Sequence, residues 1–132
     1  MKTTARYLVL ALTAALCLFS GFKPATSQHK QLRKVLPPIV VTENFTADNG
    51  VPGSASLSYT AGQVYTGVQA TIQGLGTINL TSVSHSPGTI NVDKFEGYVA
   101  GSYYEYYIYV TVSGSPTLGW RIDSATATSI VI

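Results

Sequence analysis

The chain has 132 residues, with eight lysines and arginines against six acids, two histidines, one cysteine and one tryptophan. That length supports one domain, and a lone cysteine excludes a disulfide framework. The charge is too sparse for a nucleic-acid partner, which needs a clustered basic surface.

Met1, Lys2 and Arg6 give a positive start, and an apolar run from Tyr7 to Phe22 follows, broken only by Thr13, Ser20 and Gly21. Small residues come next in Pro24-Ala25-Thr26-Ser27. This order is the layout of a cleaved secretory signal peptide, with the cut expected at Ser27/Gln28. The run falls short of the roughly 20 residues that span a bilayer comfortably. Cys17 follows Leu16, which is too bulky for lipoprotein processing, so the cysteine is expected to leave with the signal. The organisation read from the sequence is a signal peptide over 1–27, a basic N-terminal arm over 28–37, and one domain over 38–132. Removing 27 residues from 132 leaves 105, enough to bury roughly two-thirds of the unfolded surface. The chain is therefore expected to be secreted, extracellular or periplasmic, or held at the cell surface, with no membrane span after cleavage. Five cations (Lys30, Arg33, Lys34, Lys94 and Arg121) then face six acids, and the one basic cluster, His29-Lys30-Arg33-Lys34, reads as a solvated leader.

From Pro38 onward, short runs of Val, Ile, Thr and Tyr alternate with turn signals such as Asp48-Asn49-Gly50, Gly74-Leu75-Gly76, Ser86-Pro87-Gly88 and Ser113-Gly114-Ser115-Pro116. These residues suit a pleated, half-buried surface. The pattern predicts an all-β fold, a small antiparallel β-sandwich of immunoglobulin-like or jelly-roll-like order. Strands are expected near 38–47, 54–60, 63–73, 77–84, 88–92, 95–100, 103–113, 117–122 and 126–132. Over 63–73, strict alternation predicts Val64, Val68, Ala70 and Ile72 toward the core and Gln63, Tyr65, Gln69, Thr71 and Gln73 toward solvent. Ile78 with Leu80, then Ile90 with Val92, repeat the inward pattern.

Gly101-Ser102 between two strand-like runs reads as a type II′ hairpin. That register pairs Tyr98 with Glu105 and places Phe95, Val99, Tyr104, Tyr106, Ile108, Val110 and Val112 on the core face, with Gly97 making room for the Tyr106 ring. Continued further, it would bury Asp93 beside Val110. Burying an unpaired carboxylate is costly, so a turn or bulge is expected at Asp93-Lys94. The opposite face carries Tyr98, Tyr103, Glu105, Tyr107 and Tyr109. Three readings fit it: cross-strand pairs that stabilise the sheet, an aromatic platform for sugars, or a protein contact surface.

Chemistry is harder to find. His85 lies before Pro87-Gly88 and reads as a solvated loop residue. No spacing joins a serine, a base and an orienting acid, and the turn at Asp48-Asn49-Gly50 lacks the further acids of a calcium loop. No catalytic residue, metal ligand or cofactor is expected. Asn44-Phe45-Thr46 and Asn79-Leu80-Thr81 match the glycosylation acceptor pattern, which arises readily in a Thr-rich chain. The final run Thr128-Ser129-Ile130-Val131-Ile132 is an apolar strand without the charge or proline that blocks an open edge, so it is a candidate for strand exchange. The functional expectation is a non-enzymatic structural or adhesive subunit that contacts itself or another envelope protein. The alternative is a carbohydrate-binding module that uses the tyrosine face for glycans.

Overall fold

A computed structural model describes residues 34–132; the expected signal peptide and residues 28–33 of the arm lie outside the described residues. Eight strands form: β1 (Ile39–Thr46), β2 (Pro52–Tyr59), β3 (Val68–Ile72), β4 (Gly76–Asn79), β5 (Thr81–Ser86), β6 (Asn91–Ala100), β7 (Tyr104–Ser115) and β8 (Gly119–Val131). They make two four-stranded antiparallel sheets, β1-β2-β3-β4 (sheet A) and β5-β6-β7-β8 (sheet B), an arrangement consistent with a β-sandwich. Both sheets are plain meanders in chain order. Immunoglobulin and jelly-roll orders require strands that alternate between sheets through Greek-key connections, so the expectation of those orders is corrected. The cause is local: each connection within a sheet is short enough to force the next strand beside the last.

Among the described residues the chain passes from sheet A to sheet B at Leu80, the single residue between β4 and β5. Its amide still donates to Val68 O at 2.9 Å, continuing the β3–β4 side of the ladder, and its side chain is buried in the core. Strands that change sheets at a bend are a known way to turn a corner. A Cβ built on Gly97 of β6 would lie 2.3 Å from Leu80 Cδ2 and 2.9 Å from Ile78 Cδ1. The room left by Gly97 is thus filled by the corner leucine and its neighbour, and not by Tyr106 as the sequence suggested.

The core draws alternate residues from both sheets: Ala55, Leu57, Val68, Ala70 and Ile72 from sheet A, and Phe95, Tyr106, Ile108, Val110, Val112, Trp120 and Ile122 from sheet B. Several expected elements differ. The run 63–73 is strand only from Val68; Val64 is 59% exposed, and Tyr65 turns inward to pack against the core. The runs 88–92 and 95–100 merge into β6, whose register with β7 has no break at Asp93-Lys94. With Phe95 inward, period-two alternation then sends Val92 to the opposite row, and Ile90 lies exposed before the strand. The runs 117–122 and 126–132 merge into β8, where Asp123 is the extra residue opposite Thr111 and Val112.

The expected strand-exchange segment is paired within its own chain, Thr128 with Tyr107 through Val131 with Tyr104. The outer edge of β8 is also engaged. Asp48 N donates to Ala127 O at 3.4 Å, and Ser129 N donates to Asp48 Oδ1 at 2.8 Å. The Ser129 hydroxyl, with its amide, holds the Asp48 carboxyl below its ordinary value.

Adding a methyl where Leu80 already sits overpacks the corner. Gly97→Ala is expected to destabilise the fold by about 1–3 kcal/mol, measured as a lowered urea midpoint. Leu80→Ala in the Gly97→Ala background should cost less than Leu80→Ala alone; equal costs in the two backgrounds would break the link between the two residues.

Candidate functional site

Two groupings of polar side chains follow from this register: a buried cluster around Asp93, and the outer face of sheet B. The first was not anticipated. Asp93 is 5% exposed in the inward row of β6, where its Oδ2 accepts from the Tyr65 hydroxyl and its Oδ1 bonds His85 Nδ1.

His85 reaches Asp93 because of a bulge. Along β5, Thr81 pairs with Glu96 and Ser82 with Phe95; Val83 is then skipped, so that Ser84 pairs with Lys94 and His85 with Asp93. Were Val83 paired in the ladder instead of skipped, His85 would oppose Val92, on the outer row. A one-residue shift moves every later side chain to the other face, and re-aiming a side chain is a recurrent use of bulges. The expected turn or bulge at Asp93-Lys94 does not occur: β6 keeps its register with β7 and Asp93 is buried, while β5 bulges at Val83 to supply a partner for the carboxylate. His85 is a strand residue, not the loop residue expected.

Tyr65 comes from the loop before β3. Its ring packs edge-on against Trp120 at 4.8 Å and Phe95 at 5.9 Å between centroids, and Trp120 Nε1 donates to Gln63 O at 2.9 Å. Burial, and then the hydrogen bond to Asp93, push the Tyr65 phenol far above its ordinary value, so it remains a donor to the carboxylate at physiological pH. The His85 side chain is 59% exposed on a strand whose every residue is exposed. His85 thus sits on the outer strand β5 and Asp93 on β6 beside it, and with both Asp93 oxygens engaged the cluster fastens the 60–67 loop and β5 onto β6.

The second grouping is the expected tyrosine face, and the structure brings most of it together. The register of β6 with β7 is displaced by two from the expected one: Tyr98 pairs with Tyr107, Glu96 with Tyr109, and Ala100 with Glu105. A shift of two preserves the faces, so Tyr98, Glu105, Tyr107 and Tyr109 share the outer row as predicted. Tyr103 does not. It stands in the turn, 78% exposed, beside a groove of about 170 Å³ shared with Leu75, Gly101 and Tyr104. The expected type II′ turn fails because Gly101 does not adopt positive φ. Its missing side chain serves space instead: a Cβ there would lie 3.1 Å from Tyr104 O and 3.3 Å from Leu75 Cδ1.

Glu105 organises the face. Its Oε1 accepts from Tyr98 OH at 2.8 Å and its Oε2 from Tyr107 OH at 3.4 Å. The two rings lie 5.3 Å apart, tilted by 57°. The hydrogen bond to Glu105 is the main cause that raises the Tyr98 phenol above its ordinary value. Across the neighbouring strands the row continues with Thr126 opposite Tyr109, Thr128 opposite Tyr107 and Ile130 opposite Glu105. Lys94 stands at the far end of the same face, opposite Thr111.

Among the described residues, no three His, Cys, Asp or Glu side chains come together as a metal site, and no helix is long and apolar enough to cross a membrane. Set against known proteins, the chain matches no family model, no curated protein and no solved structure.

Three outcomes follow. Tyr65→Phe removes a hydrogen bond to a buried carboxylate and should cost about 1.5–3 kcal/mol in denaturant unfolding. Deleting Val83 removes the bulge and leaves Ser84 opposite Lys94 and His85 opposite Asp93, so His85→Ala should cost about as much in the deletion as in the parent chain; a cost lost in the deletion would show that His85 does not keep this register without the bulge. For Tyr98, a phenol with a raised folded pKa adds stability that is complete below the ordinary value near 10 and is lost as pH rises through the folded value. Glu105→Gln should bring the Tyr98 titration, followed by NMR of its ring, to lower pH, and an unmoved titration would remove Glu105 as the cause.

Proposed function

We propose that this chain is a secreted or cell-envelope, non-enzymatic structural or adhesive subunit that associates with a second copy of itself through the outer face of sheet B. The observation that carries the reading is the pre-arranged row Tyr98, Tyr107 and Tyr109 around Glu105. Tyrosine is enriched at protein interfaces, and rings already fixed by a carboxylate lose less freedom on binding.

Size and charge favour a second copy. A ten-residue strand at ~3.3 Å per residue and four strands at ~4.8 Å give a face of about 600 Å², or about 1,200 Å² over two copies, the lower end of stable interfaces. Lys94 of β6 marks one end of the face and Glu105 of β7 the other, opposite Ala100, which is six positions from Lys94 along β6. A two-fold axis in the interface plane, across the strands, lays each lysine over the partner's glutamate, with the tyrosines between. Such isologous contacts are the commonest oligomer geometry. The tilt between Tyr98 and Tyr107 offers no shared plane for a flat sugar ring, which counts against the carbohydrate reading of this face. The non-enzymatic reading is supported by the engagement of both Asp93 oxygens, by Tyr65 and by His85, within the fold.

Light scattering of the purified protein over a range of concentrations should give a dimer that Tyr98→Ser/Tyr107→Ser/Tyr109→Ser disperses. Lys94→Glu and Glu105→Lys should each weaken it, and mixing the two single variants should restore a mixed dimer. A monomer at every concentration overturns the second-copy reading and turns the search to another envelope protein. Glycan binding lost with the same tyrosines in a folded monomer would replace it with the carbohydrate module.

A further inference from the structure

We propose that the outer face of sheet A holds a separate binding site for a neutral saccharide. This site shares no residue with the tyrosine face, so the two readings stand or fall independently.

The two outer surfaces of the sheets are chemically unlike. On sheet A the registers place Thr42, Ser56, Gln69 and Asn79 in one cross-strand row and Asn44, Ser54, Thr71 and Thr77 in the next. These eight side chains are all hydroxyls or amides, without a charge or an aromatic ring. Two cross-strand pairs already bond: Gln69 Nε2 donates to Asn79 Oδ1 at 2.9 Å, and the Thr71 and Thr77 hydroxyls lie 2.7 Å apart. The first row opens into a groove of about 420 Å³ lined by Val40, Ser56, Ser58, Thr66, Gln69 and Asn79.

That volume lies within the common range for small-ligand sites of roughly 300–1,000 Å³, and the lining sets the ligand's chemistry. With neither cation nor acid among the described residues that line the groove, an ionised ligand would lose its hydration without a partner there. The Gln69–Asn79 bond uses one Gln69 N–H and the Asn79 carbonyl. The Gln69 carbonyl is then left to accept from one donor of the ligand, and the Asn79 NH2 to donate to one acceptor. Ser56, Ser58 and Thr66 add hydroxyls that both give and accept. Val40, 66% exposed at the rim, supplies apolar surface for C–H groups. A ligand rich in hydroxyls, uncharged and apolar along one edge, is a neutral sugar.

Amide signals of the isotope-labelled protein are followed by NMR while cellobiose, maltose, lactose and chitobiose are each added to about 10 mM, enough to detect millimolar affinity. At least one sugar should give saturable shifts at Ser56, Ser58, Gln69 and Asn79 and leave sheet B unmoved. Gln69→Ala and Asn79→Ala, both on the exposed surface, should keep the spectrum of the fold and weaken binding about three- to tenfold each, the loss expected for one hydrogen bond. No saturable shift with any of the four sugars overturns the proposal. So do shifts centred on Tyr98, Tyr107 and Tyr109, or unchanged affinity in both variants.

Discussion

The arrangement of this domain hinges on one carboxylate. Asp93 lies in the inward row of β6 between two valines of β7's core face and the rest of the sandwich, where an unpaired charge would cost several kcal/mol. Its two oxygens are met from two directions, by Tyr65 from the loop that leads into sheet A's third strand and by His85 from the edge of sheet B. Neither partner is close in the chain by default. Tyr65 is held by stacking on Trp120 and Phe95, and His85 by a bulge of one residue. A buried ionic contact is weak evidence of net stability but a strong constraint on alternatives, because breaking it leaves a desolvated charge. A slip of β5 by one residue would turn His85 away and strand Asp93. The cluster therefore works as a register mark for the edge strand and a clasp for the 60–67 loop.

Much of the fold was legible because period two is robust. Tyr106, Ile108, Val110 and Val112 were placed inward from alternation alone and are buried, and the outer row of tyrosines survived a register error of two because an even shift keeps each residue on its face. Turn chemistry was less reliable. Gly101 looked like a residue chosen for positive φ, yet it is there for closeness to Leu75, and a sequence does not distinguish a glycine used for its backbone from one used for its absent side chain. Gly97 repeats the lesson: the space was read correctly, but its occupant arrives from the sheet-switching corner at Leu80, which only the tertiary path reveals.

The Asp93 cluster stayed hidden for a related reason. Phe95 inward and Val92 inward are incompatible in one unbroken strand, and the sequence reading resolved the conflict by bending β6 to spare Asp93. The protein resolves it the other way, keeping the strand whole and moving Val92 outward. The choice depends on whether partners for the carboxylate exist, and both come from segments distant in the chain. Val64 and Tyr65 were reversed by the same cause: the segment 63–67 follows the needs of Trp120 and Asp93 and not a strand ladder.

Edges and faces together limit how such a domain meets other molecules. The β8 edge is occupied at Ala127 and Ser129 by Asp48, and β5 carries the Val83 bulge. Glu43 occupies the inward row of the edge strand β1 yet remains exposed. Bulges and inward-pointing charges on edge strands are the devices by which sheets avoid adding a stranger's strand. The terminal segment of β8 is paired along β7, while the side chains of Ile130, Val131 and Ile132 stay exposed. Among the described residues the two broad faces differ as sharply as the side chains allow: aromatic and charged on sheet B, neutral hydroxyl and amide on sheet A. A flat aromatic surface buries enough area to hold a protein, whereas a concave neutral one gains only by matching hydroxyls. One small meander sandwich can therefore present two unlike surfaces, each set by which parity of its strands faces outward.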